Sequence, residues 1–207
     1  MLPEWLRPVD EVARGVLPEQ LSRFLPPPEG GRPSAVLILF GEGPAGPDIL
    51  LIERSATLSS HAGQPAFPGG VVDDDDADVV ACALREAQEE TGLDPAGVEV
   101  FGRLPALFLP PSGFVVHPVL GWWRDPSPVG VVDPGEVARV VRVPVAELVA
   151  PENRCSVRHP SGFMGPGFAV RDLLVWGFTA GLLSRLFALV GWEQPWDETV
   201  VRDLGTW

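Results

Sequence analysis

Three carboxylates crowd one short stretch of this chain. Glu86, Glu89 and Glu90 all lie within Leu84-Arg85-Glu86-Ala87-Gln88-Glu89-Glu90-Thr91-Gly92-Leu93. On a helix, at about 100° per residue, Glu89 falls about −60° and Glu90 about +40° from Glu86, so the three share an arc of roughly 100°. Glu86 and Glu90 are i,i+4 neighbours of like charge, which costs an isolated helix roughly a few tenths of a kcal/mol. A bound Mg²⁺ or Mn²⁺ would neutralise the crowding, because hard cations take carboxylate oxygens. Arg85 stands four residues before Glu89 and is placed to hold it in one orientation. Read alone, such a charge run is more simply a solvated helix face. Its position argues otherwise. Gly70 closes Phe67-Pro68-Gly69-Gly70 fifteen residues before Arg85. Paired glycines let the backbone approach a ligand or metal closely, and Pro68 stiffens the approach.

The surrounding elements must position these groups. Residues 34–40 (SAVLILF) and 48–54 (DILLIER), separated by the turn GEGPAGP, read as a β-hairpin. A long loop then runs from 55 to about 76 and carries His61, Gly63 and the Phe67–Gly70 run. Long loops inside compact domains are usually functional or disordered. Residues 78–91 read as the carboxylate helix, with Gly92 as its stop and Val79, Cys82, Ala83 and Ala87 as a narrow apolar face. Strand-like runs follow at 98–107, 114–122, 136–143 and 168–174, with a short helix over 145–149. The last helix spans 176–190, where Gly177, Gly181, Ser184 and Ala188 line one face and invite close backbone packing. Residues 1–33 form a Pro-rich appendage with short helical pieces around 9–16 and 18–24. Residues 191–207 form an acidic, Trp-containing tail. The main domain is expected over 34–190, as an α+β fold with a mixed sheet between helices.

Charge narrows the function. Among 207 residues, 28 acids face 15 bases, for a formal net charge of −13. Every base is Arg; the chain has no Lys and no Tyr. Such a surface argues against nucleic acid and anionic membranes as partners, which need basic patches. It permits an anionic ligand if a divalent cation sits between. The missing Lys removes Schiff-base catalysis and the Walker lysine. Cys82 and Cys155 make neither a disulfide framework nor a zinc cluster. The start of the chain carries acids and lacks an apolar run, unlike a signal peptide, so a cytoplasmic location is expected. Residues 173–192 are long enough to span a bilayer but place Arg185 near its middle, at ~2.5–3.5 kcal/mol on insertion scales. They read instead as a buried helix covering a sheet. His117 and His159 receive no role, and Trp122 and Trp123 read as core.

The glycine pair and REAQEETGL together resemble the Nudix box, G-x5-E-x7-R-E-U-x-E-E-x-G-U, with U aliphatic. Arg85, Glu86, Ala87, Glu89, Glu90, Gly92 and Leu93 match its second half. In the first half Asp76 stands where Glu is expected, and eight residues rather than seven separate it from Arg85. That longer spacing, with Asp73-Asp74-Asp75-Asp76, is similar to the coenzyme A pyrophosphatase branch. A second signature of that branch, L-L-T-x-R-S-x3-R-x3-G-x3-F-P-G-G, is met at Leu50, Leu51, Arg54, Ser55, Gly63 and Phe67–Gly70 with every fixed spacing kept. Ile52 replaces its Thr and Ser59 replaces its second Arg. The string WGFTA at residues 176–180 also resembles this branch.

The resemblance implies a Nudix-type α/β/α sandwich and hydrolysis of a nucleoside diphosphate linked to another moiety. It implies Mg²⁺ or Mn²⁺ on Glu86 and Glu90, with Glu89 close by. Coenzyme A would yield 3′,5′-ADP and 4′-phosphopantetheine. Arg54, His61, Gly63, Phe67, Gly69 and Gly70 would contact substrate. The general base would be Glu89, oriented by Arg85, or Glu136, which opens a strand in Pro-Gly-Glu-Val. The partner is a small nucleotide, and a homodimer is compatible. Two alternatives stand beside this. One is a Nudix hydrolase for NADH, ADP-ribose or a nucleoside triphosphate, which Ser59 favours. The other is a non-catalytic Nudix-fold binding module, against which the three retained carboxylates argue.

Overall fold

The run Ala35–Phe40 is apolar on both sides of its chain. Ala35, Leu37 and Leu39 bury toward one face, and Ile38 and Phe40 toward the other. A strand with two apolar faces has to be covered on both. The computed structural model, which describes residues 1–57 and 63–205, satisfies that demand. β1 (Arg32–Gly43) is central to a mixed sheet of eight strands. β2 (Gly46–Arg54) returns antiparallel to it, with Phe40 opposite Ile49. β7 (Phe114–Trp123) lies parallel on the other side, with Ala35 opposite His117. β5 (Val98–Arg103) and β6 (Leu107–Leu109) pair antiparallel with β7, and β8 (Val137–Pro144) with β2.

The expected loop at 55–76 contains two short strands, β3 (Pro65–Ala66) and β4 (Gly69–Val71). β1 and β2 pair only near their turn and then separate. β3 bonds to β2, with Ile52 opposite Ala66, and β4 bonds to β1, with Ala35 opposite Gly70. Proline and glycine are poor strand formers, so the sequence reads here as loop. The FPGG turn therefore sits in the fork between two strands of the main sheet.

The second half departs further from expectation. Residues 98–107 divide into β5 and β6. The run at 168–174 is a hairpin of β10 (Met164–Val170) and β11 (Leu173–Val175), turned at Arg171 and Asp172 with φ of 52° and 60°. Two further strands carry no clear pattern in the sequence, β9 (Arg154–Arg158) and β12 (Val201–Asp203). Together they form a second sheet in the order β11-β10-β9-β12.

Helices cover the main sheet. α3 (Val79–Thr91) lies on one face through Cys82, Ala83 and Ala87. The other face is covered by α1 (Arg7–Ala13), α2 (Pro18–Leu21), α4 (Val145–Val149), α5 (Gly177–Leu189) and the second sheet. The packed side of α5 is Ala180, Leu182, Leu183, Leu186 and Phe187. The small-residue stripe packs closely only in part: a Cβ on Gly177 would stand 2.9 Å from Gln64 Nε2 and Ser184 accepts from Arg154 at 2.8 Å, but Gly181 has nothing within 4 Å of where a Cβ would stand and Ala188 is exposed. Large side chains outcompete small ones for buried area. The apolar stretch 173–192 is split between β11 and a 13-residue helix. No helix among the described residues is long and apolar enough to cross a membrane.

Residues from the N-terminal segment and the tail enter the same core. Trp5 meets Trp122 edge-on at 5.8 Å and Trp192 at 6.2 Å. Leu6 is fully buried. Leu6→Ala should therefore destabilise the whole protein by about 2–5 kcal/mol, as a core truncation does. Denaturant unfolding followed by far-UV circular dichroism checks this. A change under about 0.5 kcal/mol would mean that the segment is peripheral.

Candidate functional site

The carboxylate helix is fixed at both ends. Asp78 caps it, its Oδ1 accepting from the Val80 and Ala81 N–H groups at 2.9 Å each. Gly92 ends it with φ 72°, a conformation that suits glycine. With Ala83 and Ala87 on the sheet, Glu86 and Glu90 turn toward β4. The two glycines make that contact tight. A Cβ on Gly69 would collide with the Ala35 carbonyl and the Val36 backbone, and a Cβ on Gly70 with the Glu86 carboxyl. The Gly69 N–H donates to Glu90 Oε2 at 2.9 Å. On the strand side, the Leu37 N–H donates to the Pro68 carbonyl at 2.8 Å.

Arg85 ties the preceding turn to the helix. Its Nε and Nη2 donate to the two oxygens of Asp76 at 2.9 Å each. Nη1 donates to Glu86 at 2.9 Å and to Glu89 at 3.1 Å, and Nη2 to the Val71 carbonyl at 3.2 Å. The guanidinium holds the Asp76 carboxyl down at about 2, well below the usual carboxylate range. Asp76 was legible only as a variant box position; its role as the bidentate partner of Arg85 emerges from the fold. Burial pushes the Cys82 thiol beneath it up to about 12, which suits a core residue rather than a nucleophile.

The three carboxylates part company in space. Glu90 is only 6% exposed, and Glu86 is half-buried. The Glu89 side chain is 58% exposed and leans on Arg85. Burial pushes Glu90 up to about 7, opposed by the Gly69 N–H and reinforced by the charge of Glu86. Burial also raises Glu86, against its bond to Arg85. Arg54 and Glu136 both act electrostatically on Glu90. They are placed together by the end of β2, where the Ser55 N–H donates to the Glu136 carbonyl at 2.8 Å. In the sequence Ser55 is a matched position of the second signature with no role of its own; here its backbone makes the link. Arg54 Nε is buried and has no hydrogen-bond partner among the described residues. The Gly63 N–H donates to the Arg54 carbonyl at 3.0 Å, closing the hairpin. Phe67 is 2% exposed and packs in the core, anchoring the turn. His61 and Ser59 lie outside the described residues.

This arrangement sets a pH dependence. In metal-free protein Glu90 keeps its proton to about pH 7 when folded and loses it near 4.5 when unfolded. Between those values the folded state binds more protons, so stability falls as pH rises. The penalty is absent below 4.5 and complete above 7, on the order of 3 kcal/mol. Glu90→Gln removes it. With EDTA present, the variant should melt higher than wild type at pH 8 and equal to it at pH 4.5. Equal melting temperatures at pH 8 would contradict the burial of a strained carboxylate.

Comparisons with known proteins agree with this geometry. A model of the NUDIX domain matches residues 31–159. An uncharacterized Nudix hydrolase NudL of Cronobacter sakazakii is 42% identical over 171 residues, covering 79% of this chain and 85% of its own length. The protein of the same description from Citrobacter koseri is 40% identical over 197 residues, covering 84% and 95%. The fold is shared with a Nudix hydrolase from Nitrosomonas europaea, at TM-score 0.52 and 15% identity over 85% of this chain and 81% of that one. It is shared also with RenU, a Nudix hydrolase from M. smegmatis, at TM-score 0.51 and 20% identity over 79% and 88%. The chain belongs to the Nudix family, hydrolases that act on phosphoanhydrides.

Proposed function

We propose that this Nudix hydrolase is a metal-dependent pyrophosphohydrolase that cleaves coenzyme A or acyl-coenzyme A to 3′,5′-ADP and the corresponding 4′-phosphopantetheine. The observation that carries the reading is Glu90, buried against the Gly69 N–H beside Glu86, Arg54 and Glu136. The spacing of Arg54, Gly63 and Phe67–Gly70 supports coenzyme A, and Gly63 closes the hairpin that carries Arg54.

A divalent cation fits this donor set. Two carboxyls are driven by burial toward their neutral forms, and a cation is what returns them to the charged state. Glu90 and Glu86 would hold Mg²⁺ or Mn²⁺, with Glu89 at the margin. Among the described residues no three His, Cys, Asp or Glu side chains stand ready to enclose an ion. The shell would be completed by water and substrate phosphate, an arrangement Mg²⁺ favours. When bound, such an ion supplies Lewis-acid polarisation of P–O bonds and acidifies water.

The chain's own residues supply the rest. Arg54 would offer its guanidinium to a substrate phosphate; its Nε has no hydrogen-bond partner among the described residues. The glycine turn lets Glu86 and the β1 backbone close on β4 without a side chain between them. Glu136 takes the proton of the attacking water; Glu89, exposed like Glu136, is the lesser candidate because Arg85 already engages its carboxylate. Arg85 positions Glu86. A second reading, a Nudix hydrolase for NADH, ADP-ribose or a nucleoside triphosphate, is favoured by Ser59, which lacks the guanidinium of the branch pattern.

Chromatography of a reaction with coenzyme A and Mg²⁺ or Mn²⁺ should show 3′,5′-ADP. Glu90→Gln should lower kcat by ~10²-fold or more. Intact coenzyme A alongside consumed NADH or ADP-ribose would favour the second reading. The two glycines make separable predictions. Gly69→Ala presses on backbone and should cost about 1–3 kcal/mol of stability. Gly70→Ala presses only on the movable end of Glu86, so it should keep the melting temperature and lower kcat at least about tenfold. Comparable stability losses in both variants would contradict the division of roles.

A further inference from the structure

The string WGFTA at 176–180 takes no part in the carboxylate site. Trp176 instead lines a separate cavity of about 270 Å³. One wall is Gly63 and Pro65, from the hairpin that carries Arg54. Another is Leu204 and Gly205 of the tail. Two stretches that match the coenzyme A pattern outside the carboxylate helix thus meet at one cavity. The meeting is close: a Cβ on Gly177, at φ 65°, would stand 2.9 Å from Gln64 Nε2.

The chemistry of the wall is selective. Trp176 offers an indole, steadied by His159 with ring centroids 5.8 Å apart and tilted 32°. Three acidic residues line the space, Glu53, Asp172 and Asp203. None of the described lining side chains is cationic. The nearby arginines are engaged, Arg139 with Glu53 at 3.5 Å and Arg158 with Asp203 at 3.4 Å. A phosphate is therefore unwelcome. A flat ring with N–H donors suits the site: it stacks on the indole and donates to carboxylate oxygens, which only accept. The volume lies below that of sites for whole drug-sized ligands, and matches one ring system rather than a dinucleotide.

We propose that this cavity binds the amino-substituted purine base of the nucleotide substrate, stacked on Trp176 and donating to Asp203 and its neighbouring carboxylates. Glu53 and Arg54 are consecutive in β2, so one hairpin serves both the base cavity and the phosphate site. The proposal rests on the pyrophosphohydrolase reading only for its choice of a nucleotide base.

Adenosine, which has no phosphate, is the probe, titrated into the full chain by calorimetry. It should bind wild type. Gly205→Leu places a bulky side chain on a residue that lines the cavity, where no described residue outside its chain neighbours lies within 4 Å of a Cβ to obstruct it. Asp203→Asn removes an acceptor charge and leaves the shape intact. Gly205→Leu should weaken adenosine at least about tenfold, the scale of a lost base stack, and Asp203→Asn should weaken it by less. Melting curves confirm folding, and each variant tests the site without the other. Absence of adenosine binding, or binding unchanged in both variants, would overturn the proposal. So would displacement of adenosine by pantetheine, which would make the occupant the other half of coenzyme A. Adenosine binding lost in Gly205→Leu, with coenzyme A left uncleaved by wild type, would sustain this site and refute the substrate proposed above.

Discussion

One guanidinium organises the site. Arg85 bonds both oxygens of Asp76, the carboxylates of Glu86 and Glu89, and the carbonyl of Val71. Without it, these three acids of the turn and helix would repel one another across a few ångströms in a chain of net charge −13. The arginine fixes where β4 stops and where α3 presents its acids. Lysine could not replace it, because the fork of five donors is what reaches several partners at once.

The second constraint is the fork between β1 and β2. An unbroken hairpin would leave no room for the FPGG turn within the sheet. Separation of the strands lets β3 bond to one and β4 to the other, so the turn is held from both sides. Gly69 presses on the β1 backbone and Gly70 on Glu86. The site is thus carried by rigid sheet rather than by a free loop. That rigidity lets burial raise the proton affinity of Glu90 without the carboxyl escaping to water.

Much of this was legible in the sequence. The hairpin, the capped helix and the glycine pair follow from turn chemistry, helix stops and the period of the apolar residues. Arg85 as partner of Glu89 followed from their i,i+4 spacing. The parting of Glu89 from Glu86 and Glu90 did not, because a helical wheel knows nothing of what covers each side. β3 and β4 were hidden by proline and glycine. β9 and β12 were hidden because both are short and β12 is wholly exposed, while Cys155 and Val157 of β9 are covered by Leu204 just past β12 and by Leu174 and Trp176. The stripe of small residues on α5 was a guide at Gly177 and not at Gly181, because closeness of approach follows from what faces the helix.

The central claim is that the buried carboxylates of α3, cradled by the glycine turn, form a cation site. Anomalous diffraction from crystals grown with Mn²⁺ tests it directly. The account predicts a peak within about 2.3 Å of oxygens of both Glu86 and Glu90. A peak confined to the exposed run Asp73–Asp75, or none beside Glu90 at saturating Mn²⁺, would contradict it.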